Sequence, residues 1–172
     1  MTKYLCIAFL LWFSSGFSQS KKSSSQSSLI SIAREIIENS GPCTLVTLDA
    51  GGNPRARVMD AFLPDEDFNI WFGTNPKSRK VAEINSDGRI SILYFYQGKG
   101  AYATVYGEAK IDSSAEAKKL FWKESWANFY PDYPNNYTLI KVIPQRIEII
   151  SESHGIKGDS ITWKPAFIDF NN

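Results

Sequence analysis

Phe72-Gly73-Thr74-Asn75-Pro76-Lys77-Ser78-Arg79-Lys80-Val81-Ala82-Glu83-Ile84 is the stretch on which the reading of the chain turns. It continues the apolar run Ile70-Trp71-Phe72, which has the composition of a strand end. Gly73 to Pro76 is turn chemistry: Gly tolerates positive φ, Asn favours local backbone bonds and Pro cannot continue a strand. Ser78-Arg79-Lys80 then opens a segment with apolar residues at Val81, Ala82 and Ile84, the spacing of a short helix. A hydroxyl, a guanidinium and an ammonium therefore meet at a strand-to-helix corner, where free backbone N–H groups and the positive end of the helix dipole favour an anion. The corner suits a phosphate. On spacing alone the plainer reading, a capped helix end with a solvated basic face, is preferred, and the rest of the chain has to decide.

The 172 residues suit one domain. Hydrophobic residues make up 43% and aromatic residues 14%, enough for a real core. The formal net charge is +1. Neither that balance nor any cluster of Lys and Arg makes an electrostatic case for nucleic acid.

Residues 1–18 have the pattern of a secretory signal peptide. Met1-Thr2-Lys3 is a short basic start, Tyr4 to Phe13 carries no charge, and Ser14-Ser15-Gly16-Phe17-Ser18 supplies small residues for cleavage before Gln19. The apolar run is too short for a permanent membrane anchor. The expected address is thus periplasmic or extracellular, reached unfolded by the general route because no twin-arginine pair precedes the run. Cleavage would leave Cys43 as the single cysteine, a small core residue with no disulfide partner. It would also remove Lys3, leaving 18 basic against 18 acidic residues from the 19 and 18 of the whole chain. Residues 19–28, rich in serine, read as a flexible linker, and residues 29–172 as the folded domain.

Leu29, Ile30, Ile32, Ala33, Ile36 and Ile37 share one helical face, and Ser40-Gly41-Pro42 ends that helix. Strands are expected at Thr44–Leu48, Arg55–Phe62 and Phe68–Phe72, with Arg55, Arg57 and Met59 on one face of the second. After the basic corner come strands at Ile90–Tyr96 and Ala101–Ile111, the latter kinked at Gly107. Ser113 with Glu116 reads as a capping box for a helix reaching about Trp122. Trp122, Trp126, Phe129, Tyr130, Tyr133 and Tyr137 crowd the following loop, and Leu139–Ile150 forms two strands or one bent strand around Pro144. Tight turns between strands imply antiparallel pairing, in number and spacing suited to a barrel, so the fold class is mostly β with flanking helices. No Gly-x-Gly-x-x-Gly and no regular strand–helix alternation argue for a dinucleotide-binding parallel sheet.

Taken together, Gly52-Asn53-Pro54-Arg55-Ala56-Arg57-Val58-Met59, the Phe72–Lys80 corner and the paired strands Ile90–Ile111 resemble the FMN-binding split-barrel family. That family contains pyridoxamine 5′-phosphate oxidases and small bacterial general stress proteins. The resemblance runs from about Ile30 to Phe170 and implies an antiparallel split β-barrel that binds flavin mononucleotide (FMN) as a homodimer. Carried over by position, Arg57, Val58 and Met59 would run beside the isoalloxazine and phosphate. Thr74, Ser78, Arg79 and Lys80 would hold the phosphate and ribityl chain.

Two departures narrow the function that the resemblance implies. The oxidases carry a further Lys on the second strand, where this chain has Asp60-Ala61-Phe62 after Met59. They also carry an Arg/His motif near the C-terminus, where this chain has the lone His154. The chain therefore resembles the general stress proteins more than the vitamin-processing enzyme. The implied function is that of a flavoprotein oxidoreductase in which FMN supplies the redox chemistry to a small-molecule partner, with no catalytic residue and no metal site read from the sequence. The alternatives are a non-catalytic module that holds a flavin or haem, and a ligand-free interaction domain.

Overall fold

The computed structural model describes residues 16–170, so residues 1–15 of the expected signal peptide lie outside the described residues. The helices are α1 (Gly16–Ser40), α2 (Arg79–Ser86) and α3 (Ala115–Leu120). The strands are β1 (Cys43–Leu48), β2 (Pro54–Met59), β3 (Ile70–Thr74), β4 (Arg89–Tyr96), β5 (Ala101–Asp112), β6 (Thr138–Ser151) and β7 (Ala166–Asp169). They form one antiparallel sheet in the order β2-β1-β4-β5-β6-β3, with β7 also paired to β6. The sheet curls until its two ends approach. There Ala61 bridges Phe72, and the Phe62 N–H donates to the Trp71 carbonyl at 2.9 Å.

Alternation fills the interior. Cys43 and Leu45 of β1, Ile90, Ile92 and Tyr94 of β4, Ala101, Ala103 and Val105 of β5, and Ile147 and Ile149 of β6 are all buried on the inner face. Ala33, Ile36 and Ile37 of α1 pack into the same cluster. Each of the larger aliphatic side chains contributes roughly 1.5–3 kcal/mol by leaving water. The helix runs through residues 19–28, the stretch expected to be a linker, because serine is only a modest helix breaker and a formed helix propagates readily. Its first tertiary tie among the described side chains is Gln26 Nε2 donating to the Asp169 carbonyl at 3.3 Å.

Several boundaries differ from the expectation, each for a local reason. β2 stops at Met59 rather than Phe62, and Asp60 turns outward to pair with Lys123 at 2.8 Å. β3 starts at Ile70 because Phe68 sits in a left-handed turn (φ 67°) whose Asp65 carboxylate accepts from the Asn69 N–H. It continues through Gly73 and Thr74, so the turn begins only at Asn75. Gly73 belongs to the strand because the rings of Trp126 and Tyr137 rest where a Cβ would be. α3 is capped by Ser114, whose Oγ accepts from the Ala117 N–H at 3.4 Å, while Ser113 instead pairs with Thr138 Oγ1 at 2.9 Å. The helix ends at Leu120, short of Trp122, which joins a second cluster with Trp71, Phe121, Trp126, Tyr130 and Tyr137. Pro144 does not divide β6: it faces Gly107 where the β5–β6 register shifts, so one bent strand results.

Candidate functional site

The basic corner forms where β2, the end of β3 and the start of α2 converge around β1. Ser78 is the N-cap of α2 in extended conformation (φ −69°, ψ 147°). Its hydroxyl makes no capping bond and lies 3.2 Å from Thr74 Oγ1 instead. The backbone N–H groups of the first turn of α2 therefore lack a side-chain acceptor from their own cap. Lys80 Nζ donates to Thr74 Oγ1 at 3.0 Å, which draws the ammonium back over the end of β3. Among the described residues no carboxylate lies within ion-pair distance of Lys80. Burial and then the charge of Arg57 pull the Lys80 ammonium below its usual pKa, with Arg79 adding to the effect and Glu83 opposing it.

Arg57 projects from β2 toward the same corner. Its Nη1 donates to Thr47 Oγ1 at 2.5 Å and its Nη2 to Glu83 Oε2 at 2.7 Å. Thr47 in turn donates to Glu83 Oε2 at 2.5 Å. Arg79, one turn before Glu83 on α2, brings its Nε to 2.9 Å from Oε1. Glu83 is 5% exposed. Burial pushes its carboxyl up, but the hydrogen bonds from Thr47 and Arg57 and the charges of Arg57 and Arg79 outweigh that and hold it below its usual value. The corner thus gathers three cations and one carboxylate, a formal surplus of two positive charges.

Of the seven residues singled out in the sequence, Arg57, Thr74, Ser78, Arg79 and Lys80 come together here. Val58 does not: strand alternation turns it outward, 72% exposed. Met59 faces inward but packs against the main core beside Cys43, its ladder partner. Thr47 and Glu83 were missed. Thr47 had one available signal, a hydroxyl on the inward face of an otherwise apolar strand. Glu83 had another, falling on the same helical face as Arg79 at the i,i+4 spacing.

The family model described as pyridoxamine 5′-phosphate oxidase matches residues 32–151. The chain belongs to that family. General stress protein 26 of Bacillus subtilis is 30% identical over 105 residues, covering 58% of this chain and 73% of that protein. The pyridoxine/pyridoxamine 5′-phosphate oxidase of Bordetella pertussis is 32% identical over 78 residues, 45% of this chain but only 37% of that enzyme. Among solved structures, general stress protein 26 of Bacillus anthracis superposes with a TM-score of 0.65 at 26% identity, covering 83% of this chain and 98% of the other. The curled sheet is accordingly a split barrel of this family.

A phosphate monoester fits the donor set of the corner. It carries close to two negative charges and several acceptor oxygens. The two guanidinium groups, the ammonium, two hydroxyls and the first-turn N–H groups supply donors, and the surplus charge is equal and opposite. The chemistry of the residues therefore agrees with the phosphate end of FMN.

Proposed function

We propose that this protein is an FMN-binding flavoprotein that passes electrons or hydride to or from a small molecule. The observation that supports it is the surplus of two positive charges gathered by Arg57, Arg79 and Lys80 around Glu83, beside the hydroxyls of Thr74 and Ser78. Bound FMN would supply the redox chemistry, and these residues would bind and orient its phosphate. Arg57 from β2 and Arg79 from α2 would grip it from two elements, fixing direction as well as affinity.

The substrate is not pyridoxamine phosphate in this reading. No Lys follows Met59 where the oxidases carry one, and Asp60 there is tied to Lys123 at 2.8 Å. His154 is held by Ser151 Oγ at 2.9 Å and by Glu35 Oε2 at 3.2 Å, which gives it a role in fixing α1 to the end of β6. A homodimer is part of the same proposal. The outer sheet face carries exposed Val58, Leu93, Phe95 and Tyr106 on neighbouring strands, an apolar surface of the kind that partner subunits cover. Export to the periplasm or beyond is proposed from the N-terminal sequence pattern; among the described residues no helix is long and apolar enough to cross a membrane.

The test is an absorbance spectrum of the protein after incubation with FMN and desalting. Retained flavin bands that vanish in Arg79→Ala/Lys80→Ala support the reading. A folded, colourless protein that never retains FMN refutes it.

A further inference from the structure

Glu83 is a buried carboxylate at the centre of a site whose chemistry calls for an anion. Its Oε2 is saturated by Thr47 and Arg57. Its Oε1 faces the Arg79 Nε at 2.9 Å yet has no aligned hydrogen bond, and it is buried. An ordinary structural ion pair would be satisfied by one arginine. This carboxylate instead gathers two, from different elements, leaves one oxygen unsatisfied, and has a third cation near it, Lys80, whose ammonium is depressed by burial and then by the charge of Arg57.

We infer that Glu83 is an internal counter-anion that stands in for the ligand's phosphate. It holds Arg57 and Arg79 in position and offsets the mutual repulsion of three cations. When a phosphate monoester arrives, the guanidinium groups share their hydrogen bonds with it, and the two surplus charges are neutralised. Glu83 is thus a positioning residue: it acts through the arginines and does not touch the ligand. This inference rests on the phosphate-site reading above, though not on the ligand being a flavin.

The distinguishing property is chemical rescue. Glu83→Gln keeps the shape and an acceptor oxygen for Thr47 or Arg57 but removes the charge. Arg57, largely buried, then lacks its counter-ion, which costs far more than the pair itself is worth. In chloride alone the variant melts roughly 3 °C or more below the wild type, the shift a loss of about 1 kcal/mol or more gives in a domain of this size. Inorganic phosphate then raises its melting temperature more than it raises that of the wild type. Its half-saturating phosphate concentration falls about tenfold or more, because a like charge beside the anion has gone.

The measurement is thermal unfolding of both proteins against inorganic phosphate and against chloride at matched ionic strength. Asp87→Asn is the control: it breaks the exposed pair with Arg89 at the far end of the same helix and gains no phosphate-specific recovery. Equal stability of Glu83→Gln in phosphate and chloride overturns the inference and makes Glu83 a structural ion-pair partner only. If the variant does not fold in chloride, refolding in phosphate supports the inference and failure in both salts overturns it. FMN titration separates the two readings. Phosphate rescue without FMN retention by the wild type removes the flavin and keeps Glu83 as counter-anion, whereas FMN retention without rescue does the reverse.

Discussion

Gly107 of β5 faces Pro144 of β6 at the one shift in the long ladder between these strands. The proline has no N–H to offer, and the bulge removes the need for one. A Cβ on Gly107 would run into the carbonyl of Ile143, which is backbone and cannot swing aside. Gly107→Ala should therefore cost about 2 kcal/mol or more in denaturant unfolding. Gly155→Ala is the comparison: its φ of +66° strains any side chain, but nothing lies within 4 Å, so the cost should stay near 1 kcal/mol. Equal losses at the two positions would mean that the close approach at the bulge is unimportant.

Arg57 and Arg79 should separate stability from binding. The Arg57 side chain is 16% exposed and partners a buried carboxylate, whereas Arg79 is 71% exposed. Arg57→Ala strands Glu83 and should destabilise the ligand-free protein by about 3 kcal/mol, the usual cost of removing one partner of a buried pair. Arg79→Ala should change stability by less than about 1 kcal/mol. It should nevertheless weaken FMN retention by about tenfold or more, since one charge-assisted hydrogen bond is worth roughly 1.5–3 kcal/mol. Chemical denaturation and flavin-fluorescence titration of both variants check the contrast.

The single cysteine of the folded domain should be inert. Cys43 is 2% exposed, and burial raises its thiol to about 11 against the opposing hydrogen bonds of Tyr94 and the backbone, with the Asp60 charge adding a smaller push. Only the thiolate reacts, so alkylation at about pH 8 should proceed only through unfolded molecules. Mass spectrometry of the native protein after incubation with iodoacetamide should show no adduct at Cys43, and full modification there in denaturant. Rapid native labelling would contradict the burial.

Much of this was legible in the chain because it depends on local pattern. The alternation of Ile90, Ile92 and Tyr94, the turn at Asp49–Asn53 and the stripe Ala33-Ile36-Ile37 each specify an element without knowledge of its partners. The basic corner was legible too, since Thr74, Ser78, Arg79 and Lys80 are neighbours in sequence. What escaped needed three dimensions. Gly73 reads as a turn residue until Trp126 and Tyr137, more than fifty positions later, are seen to pack on it. Ser113 looks as good a cap as Ser114 until Thr138 claims its hydroxyl. Glu83 looks like a solvated helix residue until β2 delivers Arg57 to it across 26 positions.

Lys80 should report ligand binding through protons. Its folded pKa lies below 10.5 because the site is buried and crowded with positive charge. In the window between that lowered value and 10.5 the ligand-free protein holds fewer protons there than the unfolded chain does. A bound phosphate restores the preference for the ammonium, so binding in this alkaline window should take up protons, and binding at neutral pH should not. Calorimetric titration with FMN in two buffers of different ionisation enthalpy measures the uptake. Lys80→Met should abolish it.

Acid should act through Glu83 with the opposite sign. Its folded pKa lies below the ordinary 4.5, so its contribution to stability is complete above 4.5 and disappears as the pH falls through the lowered folded value. Asp49 and Asp87, each lowered to about 2 by hydrogen bonds to neighbouring backbone and arginine groups, also titrate in acid. They do so alike in wild type and Glu83→Gln, and therefore cancel in the difference between the two proteins. The stability gap between wild type and Glu83→Gln should thus be constant from neutrality to about pH 5 and narrow below 4.5, because protonating Glu83 makes the wild type resemble the variant. Urea unfolding at a series of pH values measures that gap directly. A gap that stays constant down to about pH 3 would mean that Glu83 does not ionise differently in the folded chain, and its pairing with Arg57 and Arg79 would then contribute nothing to the stability of the empty site.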